Sequence, residues 1–230
     1  MQYKTALIVG AGAGLSAALA RVLVRNGIRV ALASRSIDDL AALCAETGAS
    51  AFPCDASQPA DVARLFAEVE AALGPPDVVA YNASYRVRGP FLELDPAEVE
   101  RTLAVSAYGG FVVAQEALKR MAPKGHGALL FTGASASVKG YPQSAPFAMG
   151  KFALRGLAQS LAREFAPAGI HVAHFVIDGG IRSERRPEPA DRPDSLLDPD
   201  AIAETYLQVL KQPRSAWTWE VELRPWVERF

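Results

Sequence analysis

The sequence is poor in the residues that build metal and redox sites. Its 230 residues include two cysteines and three histidines. Cys44 and Cys54 fit no metal-binding or redox spacing, so we expect reduced thiols in a cytoplasmic protein. The histidines His126, His171 and His174 fall before or within predicted strands, and none has the partner spacing of a catalytic triad or a metal site. We therefore expect structural histidines and no metal.

A strong excess of one charge and a long apolar run are also lacking. The formal net charge is −1, and acids and bases are spread along the chain. A nucleic-acid-binding surface would show clustered basic residues, so we expect no nucleic-acid partner. No apolar stretch approaches the roughly 20 residues that span a bilayer, and we expect no membrane partner. A strand-like run close to the first residue also argues against a signal peptide.

What the sequence does contain is a regular alternation of short apolar runs and longer stretches of helical period. Half of the residues are apolar, enough for one sizeable core. The predicted strands are 3–9, 29–33, 51–52, 78–80, 128–132 and 171–176, and the predicted helices are 14–26, 37–46, 58–73, 96–121, 144–165 and 200–210. This order predicts an α/β fold, with one doubly wound Rossmann-type domain over residues 1–230.

A glycine-rich turn follows the first predicted strand. Gly10, Gly12 and Gly14 stand just before Leu15, where the first helix begins. Glycines let the backbone turn tightly and approach a pyrophosphate, which rests on the N–H groups at the start of a helix. Because this turn follows a strand and opens a helix at the start of a βαβ unit, it predicts a dinucleotide site.

The end of the second strand indicates which dinucleotide is bound. Folds that take NAD usually place an acid here, whereas this sequence has Ser34, Arg35 and Ser36. A carboxylate would repel a ribose 2′-phosphate, while Arg35 can form a charge-assisted pair with it and the serines can add hydroxyl donors. The pattern favours NADP(H) over NAD(H). The alternative is that Arg35 is only a solvated surface charge.

Two segments near the C-terminus depart from the alternation. Residues 182–199 are rich in Arg, Glu, Asp and Pro and form an unusually long connection. We expect a lid loop on the substrate side of the site, with plain disorder as the alternative. The tail, residues 217–230, carries all three tryptophans, which suggests burial either against another subunit or within the chain.

Four further motifs follow the predicted elements in order. Asp55 comes after the third strand, and residues 81–84 (Tyr-Asn-Ala-Ser) come after the fourth. Phe147 and Lys151 stand four residues apart on a helix, and residues 178–180 (Asp-Gly-Gly) follow the sixth strand. With the glycine turn, these motifs resemble the short-chain dehydrogenase/reductase family along nearly the whole chain.

This resemblance implies a mostly parallel, seven-stranded, doubly wound sheet and assembly as a homodimer or homotetramer. In the family, the acid at Asp55 contacts the adenine amine, and the turn after the sixth strand closes over the nicotinamide. The cofactor contacts implied for this sequence are Gly10, Gly12, Gly14, Leu15, Ser34, Arg35, Asp55, Ala56, Asn82, Ala83, Lys151, Gly179 and Ile181.

The resemblance also implies a catalytic tetrad of Asn, Ser, Tyr and Lys, from which the sequence departs. Phe147 stands at the Tyr position, Ala134 at the Ser position and Ser106 at the Asn position. Lys151 alone is retained, where it can bind the nicotinamide ribose. A general acid is worth about 10²–10⁴ in rate, so without the phenol the family's usual mechanism is poor.

Substitutes for the lost groups are available nearby. Tyr141, in the loop before the Phe147 helix, is the candidate proton donor, while Tyr108 and Ser135 are weaker alternatives. The spacing from Gly10 to Ser16 also resembles enoyl-thioester reductases. Those enzymes place a tyrosine seven residues before the lysine, however, where this sequence has serine.

The sequence therefore leaves two functions open. The first is an NADP(H)-dependent oxidoreductase that reduces a carbonyl or an enone in a pocket lined by Ala134, Tyr141, Phe147 and residues 181–197. The second is a catalytically inactive NADP(H)-binding protein that acts as a sensor or as a partner subunit. In both cases the loops around the pocket, rather than the fold, set which molecule is bound.

Overall fold

Seven strands, five of them largely buried, organise the chain in the computed structural model, which describes residues 3–228. The strands are β1 (Thr5–Val9), β2 (Arg29–Ser34), β3 (Ser50–Pro53), β4 (Val78–Tyr81), β5 (Gly127–Thr132), β6 (Ile170–Ile177) and β7 (Glu220–Leu223). They form one sheet in the order β3-β2-β1-β4-β5-β6-β7, and every neighbouring pair is parallel. The predicted doubly wound α/β fold is confirmed.

Helices cover both faces of the sheet. They are α1 (Leu15–Arg25), α2 (Ala41–Thr47), α3 (Pro59–Leu73), α4 (Pro96–Leu103), α5 (Gly109–Met121), α6 (Ala145–Phe165) and α7 (Pro199–Leu210). Successive strand residues face opposite sides, so Ile8 joins the apolar cluster under α1 and α7 while Leu7 joins the cluster under α3, α5 and α6. None of the helices within residues 3–228 has the length and apolar character needed to cross a bilayer.

The predicted helix 96–121 is divided in the structure. It contains α4, then a π-helical turn over Ala104–Tyr108, then α5. The predicted helix 37–46 likewise opens with a 3₁₀ turn, Asp38–Leu40, before α2 begins. The spacing of apolar residues does not distinguish a π or 3₁₀ turn from an α-helix. The number of residues per turn differs between these helix types by less than the distance along the chain between successive apolar residues. The π turn matters here because it carries the buried Ser106.

The tail containing the tryptophans packs largely within the chain. Trp217 stacks on His171 of β6, with ring centroids 4.6 Å apart. The guanidinium of Arg155 lies 5.5 Å from the ring centroid of Trp219. Trp226, by contrast, is 79% exposed. The intrachain alternative therefore describes the first two tryptophans, and the last residues of the predicted tail segment lie outside the described part of the chain.

The long connection, residues 182–199, is held closed at its two ends. Ile181 and Leu197 form a parallel bridge, and the Arg182 guanidinium pairs with the Asp198 carboxylate at 2.6 Å. Inside the loop, the Glu188 carboxylate accepts a hydrogen bond from the backbone N–H of Ser195 at 2.7 Å. These contacts keep the start of the segment beside the glycine turn, at the carboxyl edge of the sheet.

Candidate cofactor and active site

The glycine turn is fixed by contacts between the ends of three strands. The backbone N–H groups of Gly10 and Ala11 both donate to the Ala33 carbonyl at 2.9 Å. Gly10 has a φ of +86°, and a Cβ built on it would clash with the backbone of Ala83. Only glycine tolerates this backbone conformation and this approach without strain. The turn therefore lies where β1 and β4 diverge, the switch point at which such sheets bind ligands.

Open space lies over the other two glycines. A Cβ added to Gly12 or Gly14 would meet no atom within 4 Å. The cavity above them has a volume of about 270 Å³ and is lined by Gly10, Gly12, Gly14, Leu15, Ser16, Asn82, Ile181, Arg182 and Ser183. The first turn of α1, which begins at Leu15, offers unpaired N–H groups here. The cradle fits a pyrophosphate, because no described atom fills the space over Gly12 and Gly14.

A second cavity, of about 250 Å³, adjoins the first on the β2 side of the glycine turn. Its lining includes Ser34, Arg35, Asp55, Ala56, Asn82, Ala83 and Tyr85. One oxygen of the Asp55 carboxylate accepts hydrogen bonds from both the N–H and the hydroxyl of Ser57. Arg35 is exposed and has no ion pair with a carboxylate within residues 3–228. The residues predicted for the adenosine end are thus brought together at one place.

Lys151 lies beneath this edge of the sheet. Its side chain is buried, and Nζ donates a hydrogen bond to the carbonyl oxygen of Thr132 at 2.8 Å. Burial disfavours the ammonium form and lowers the pKa of Lys151 to about 8. Nζ is 5.8 Å from the ring centroid of Phe147, so the two residues of the predicted motif do meet.

Phe147 carries a second cation on its ring. The guanidinium carbon of Arg86 lies 4.8 Å from the Phe147 ring centroid, within the range of a cation–π contact. Partial burial lowers the pKa of Arg86, as do the like charges of Arg88 and Arg186. Sequence reasoning missed these arginines, although Arg86 and Arg88 directly follow the Asn82 turn.

The residues at the Ser and Asn positions play structural parts. Ala134 offers no hydroxyl, and its backbone N–H donates to the Ser137 hydroxyl at 3.1 Å. Ser106 is buried, and its hydroxyl lies 3.3 Å from the backbone nitrogen of Tyr85 and 3.4 Å from the Tyr85 carbonyl oxygen. Ser106 therefore holds the loop that presents Arg86, one residue further on.

The proposed substitute tyrosines lie on the surface. Tyr141 is in the loop before α6, with 46% of its side chain exposed. Tyr108 stacks on Phe111 at 6.3 Å, as part of an exposed apolar pair. Ser135 opens the 3₁₀ turn Ser135–Ser137. Within residues 3–228, no hydrogen bond or ring contact joins these side chains to Phe147.

The turn after β6 lies beside the cavity over the glycine turn. Asp178 is buried and accepts a hydrogen bond from the Lys139 ammonium at 2.8 Å. A Cβ on Gly179 would lie 2.6 Å from Pro225, so glycine lets the C-terminal tail approach. The same turn leads directly into Ile181, which faces the glycine cradle. Gly179 and Ile181 are thus placed near the other predicted cofactor contacts.

The strand histidines tie β7 to β6 behind Lys151. Nδ1 of His174 lies 3.0 Å from the Glu220 carboxylate, which also accepts two hydrogen bonds from Arg155. Burial lowers the pKa of His174 to about 4. His171 contacts the carbonyl oxygen of Thr218 through Nε2 at 2.9 Å. Within residues 3–228, no group of three or more metal-ligating side chains comes together.

Known proteins share both the sequence pattern and the fold. A family model described as short chain dehydrogenase matches residues 4–190. The chain belongs to the short-chain dehydrogenase/reductase family. A member from Armillaria gallica is 32% identical over 182 residues, which cover 76% of this chain and 70% of that protein.

Solved structures share this fold along nearly the whole length of the chain. A crystal structure of a short-chain dehydrogenase from Rhodopseudomonas palustris is 34% identical, with a TM-score of 0.83, covering 97% of this chain and 99% of that one. An alcohol dehydrogenase from the archaeon Thermococcus sibiricus, complexed with 5-hydroxy-NADP, is 28% identical, with a TM-score of 0.85 and 98% of each chain covered. The expected family is confirmed, and the nucleotide cradle is that of a short-chain dehydrogenase.

Proposed function

We propose that this short-chain dehydrogenase binds NADP(H) in preference to NAD(H). The observation that carries the proposal is Arg35, an exposed and unpaired guanidinium beside the adenosine cavity. An arginine fork matches a phosphate and would hold a ribose 2′-phosphate, whereas this strand end has no carboxylate to accept from a 2′-hydroxyl. The 5-hydroxy-NADP complex of the Thermococcus sibiricus alcohol dehydrogenase supports the same preference.

The proposed reaction is the reduction of a carbonyl or an enone. A bound NADPH would supply the hydride. The substrate oxygen then gains negative charge, and two cations, Lys151 and Arg86, flank the Phe147 ring where that charge would develop. With its pKa near 8, Lys151 can release a proton close to neutral pH, while Phe147 has none to give. Tyr141 remains the candidate donor if its loop moves towards the site.

The second candidate is an NADP(H)-binding protein without turnover, a sensor or partner subunit. It is favoured by the missing hydroxyls at Phe147 and Ala134, beside a complete nucleotide cradle. The two proposals agree on cofactor binding and differ on chemistry. An enolate is a weaker base than an alkoxide, so loss of the phenol harms enone reduction less than ketone reduction.

The deciding experiment is NADPH oxidation over a panel of ketones, aldehydes and enones. Lys151→Ala is the test variant, and Lys124→Ala, an exposed lysine away from the cradle, is the matched control. Turnover that is lost only in Lys151→Ala supports the reductase. A flat trace in a sample that binds NADPH supports the sensor or partner subunit. Failure to bind NADPH overturns both.

We further propose that the chain is a cytoplasmic homodimer or homotetramer. Exposed apolar side chains gather on α5 and α6, among them Phe111, Met149 and Phe152. Large exposed apolar patches mark protein contacts, and a second copy would cover this one. The free thiols of Cys44 and Cys54 support a reducing compartment.

A further inference from the structure

Three arginines from two separate loops lie near enough for the charges of Arg88 and Arg186 to act on Arg86. Arg86 and Arg88 follow β4, and Arg186 belongs to the long connection, residues 182–199. The guanidinium of Arg86 rests over Phe147, the residue at the reacting end of the family motif. Arg186 reaches the turn after β6, because a Cβ built on Gly180 would lie 2.7 Å from its Nη1. The two loops thus bring positive charge to the substrate side of the site.

These charges have no carboxylate partner among the described residues. Neither Arg86, Arg88 nor Arg186 forms an ion pair with a carboxylate in the described part of the chain, residues 3–228. Partial burial lowers the pKa of Arg86 most, and the like charges of Arg88 and Arg186 lower it further. Two nearby cations are paired with carboxylates: Arg182 with Asp198 at 2.6 Å, and Lys139 with Asp178 at 2.8 Å.

The cluster is separate from the cation that serves the cofactor. Arg35 lines the adenosine cavity beyond β2, whereas Arg86 is held against α6, on the side of Lys151. The Ser106 hydroxyl holds the backbone at Tyr85 and so orients the loop that carries Arg86. A guanidinium stacked on an aromatic ring keeps its N–H edge free for a planar anion.

We propose that the substrate of this enzyme carries a carboxylate, bound by Arg86 and Arg186 beside the carbon that is reduced. The proposal deepens the proposed function and rests on it, since it names the substrate class of the same site. An arginine binds a carboxylate through two parallel hydrogen bonds, and two such groups from opposite loops would close over it. The substrate class is therefore an oxo acid rather than a neutral ketone.

The test compares charged and uncharged forms of one compound on the NADP⁺-loaded protein, which has no hydride to transfer to a ketone. The probes are pyruvate, 3-oxobutanoate and 4-oxopentanoate, each alongside its methyl ester, with binding followed by calorimetry. Arg86→Gln and Arg186→Gln are the test variants. Arg163→Gln, an exposed arginine in the last turn of α6 and so at the opposite edge of the sheet, changes the net charge equally and serves as control.

We expect at least one oxo acid to bind at least about tenfold more tightly than its ester, as a charged hydrogen-bonded pair allows. Arg86→Gln and Arg186→Gln should each remove most of that difference, while Arg163→Gln and the affinity for NADPH remain unchanged. Equal binding of acid and ester, no binding of any acid, or loss of the difference in Arg163→Gln would overturn the proposal. Binding reports on this step without turnover, so a failure of reductase activity is read separately.

Discussion

The amide nitrogen of Asn82 donates a hydrogen bond to the Ser16 hydroxyl across 2.7 Å, linking the turn after β4 to the first helix. The same hydroxyl donates to the carbonyl of Gly10 at 3.1 Å. The Asn82 amide also donates a longer hydrogen bond, of 3.5 Å, to that carbonyl. One buried hydroxyl therefore holds the two loops that border the nucleotide cradle in register.

Ser16→Ala should loosen this cradle. It removes the acceptor of Asn82 and a donor to Gly10, so we expect a loss of about 1 kcal/mol in the free energy of unfolding and a several-fold weaker affinity for NADPH. Urea unfolding and fluorescence titration measure the two effects. Ser215→Ala, an exposed serine outside the site, should change neither. Unaltered NADPH affinity in Ser16→Ala would mean that the cradle does not depend on this contact.

Arg35→Ala should change the cofactor preference. Removing a guanidinium that pairs with the 2′-phosphate is expected to weaken NADPH binding at least about tenfold while leaving NADH binding nearly constant. Titration of both cofactors against the wild type and Arg35→Ala gives the ratio directly. A parallel loss of both affinities would show that Arg35 contributes only to the fold of the strand end.

The double variant Phe147→Tyr, Ala134→Ser should raise carbonyl reduction. The phenol would lie beside Lys151 and Arg86, two cations that lower the pKa of a tyrosine and favour proton release. A restored general acid is worth roughly 10²-fold or more in kcat for a ketone, and less for an enone. Steady-state rates on matched ketone and enone substrates test this. Equal gains on both would contradict the assignment of position 147 to proton transfer.

The stability of the fold should fall on acidification because of His174. Burial lowers the pKa of His174 from 6.5 to about 4 in the folded state, so the unfolded chain takes up the proton first. The stabilisation that depends on neutral His174 is fully present above pH 6.5 and is lost as the pH falls towards 4. The total decrease in the free energy of unfolding is about 3 kcal/mol. Urea unfolding between pH 7 and pH 4.5 should show this slope.

His174→Asn should flatten that slope, since the titrating ring is gone. His126→Gln removes a histidine that stacks on Tyr3 at 5.0 Å and provides the matched comparison. Glu220 also affects how the free energy of unfolding changes at acidic pH. Burial opposes its ionisation, but the hydrogen bonds from Arg155 outweigh burial and lower its pKa. A slope that persists unchanged in His174→Asn would assign the acid sensitivity to another group.

Charged substitutions on α5 and α6 should dissociate the proposed oligomer. Phe111→Asp with Phe152→Asp places two carboxylates within the exposed apolar patch, where an interface cannot solvate them. Light scattering should then report the mass of a monomer. Phe91→Asp, at a position that is 74% exposed and lies in a separate loop, is the control. A monomeric wild type would overturn the proposal itself.

Much of the fold and of the nucleotide site follows from local pattern. The glycine turn, the Ser34-Arg35 pair at the end of β2 and the position of Asp55 can be placed from sequence, because strands in a parallel sheet end at a common edge. Helix substructure cannot be placed in this way. The π turn around Ser106 and the 3₁₀ start before α2 depend on packing, which shifts hydrogen bonds by one residue without altering the apolar period.

The substrate side depended on contacts between distant segments. The Phe147 ring is identifiable from its spacing to Lys151, but the cation above it, Arg86, comes from a loop some sixty residues away in the chain. In the sequence, Arg86 and Arg88 cannot be told from ordinary surface arginines. Their proximity to Arg186 is visible only in the folded chain. Only the three-dimensional arrangement distinguishes paired cations such as Arg182 from unpaired ones such as Arg186.

The sequence alone determined the family, the doubly wound sheet and the nucleotide cradle, because these depend on periodicity and on residue types at short, regular spacing. It also determined which hydroxyls are missing at Phe147 and Ala134. Tertiary structure decided what surrounds those positions: the lowered pKa of Lys151 and the guanidinium of Arg86. Burial and the meeting of separate loops have no signature in a single stretch of chain, since they arise only when the elements pack.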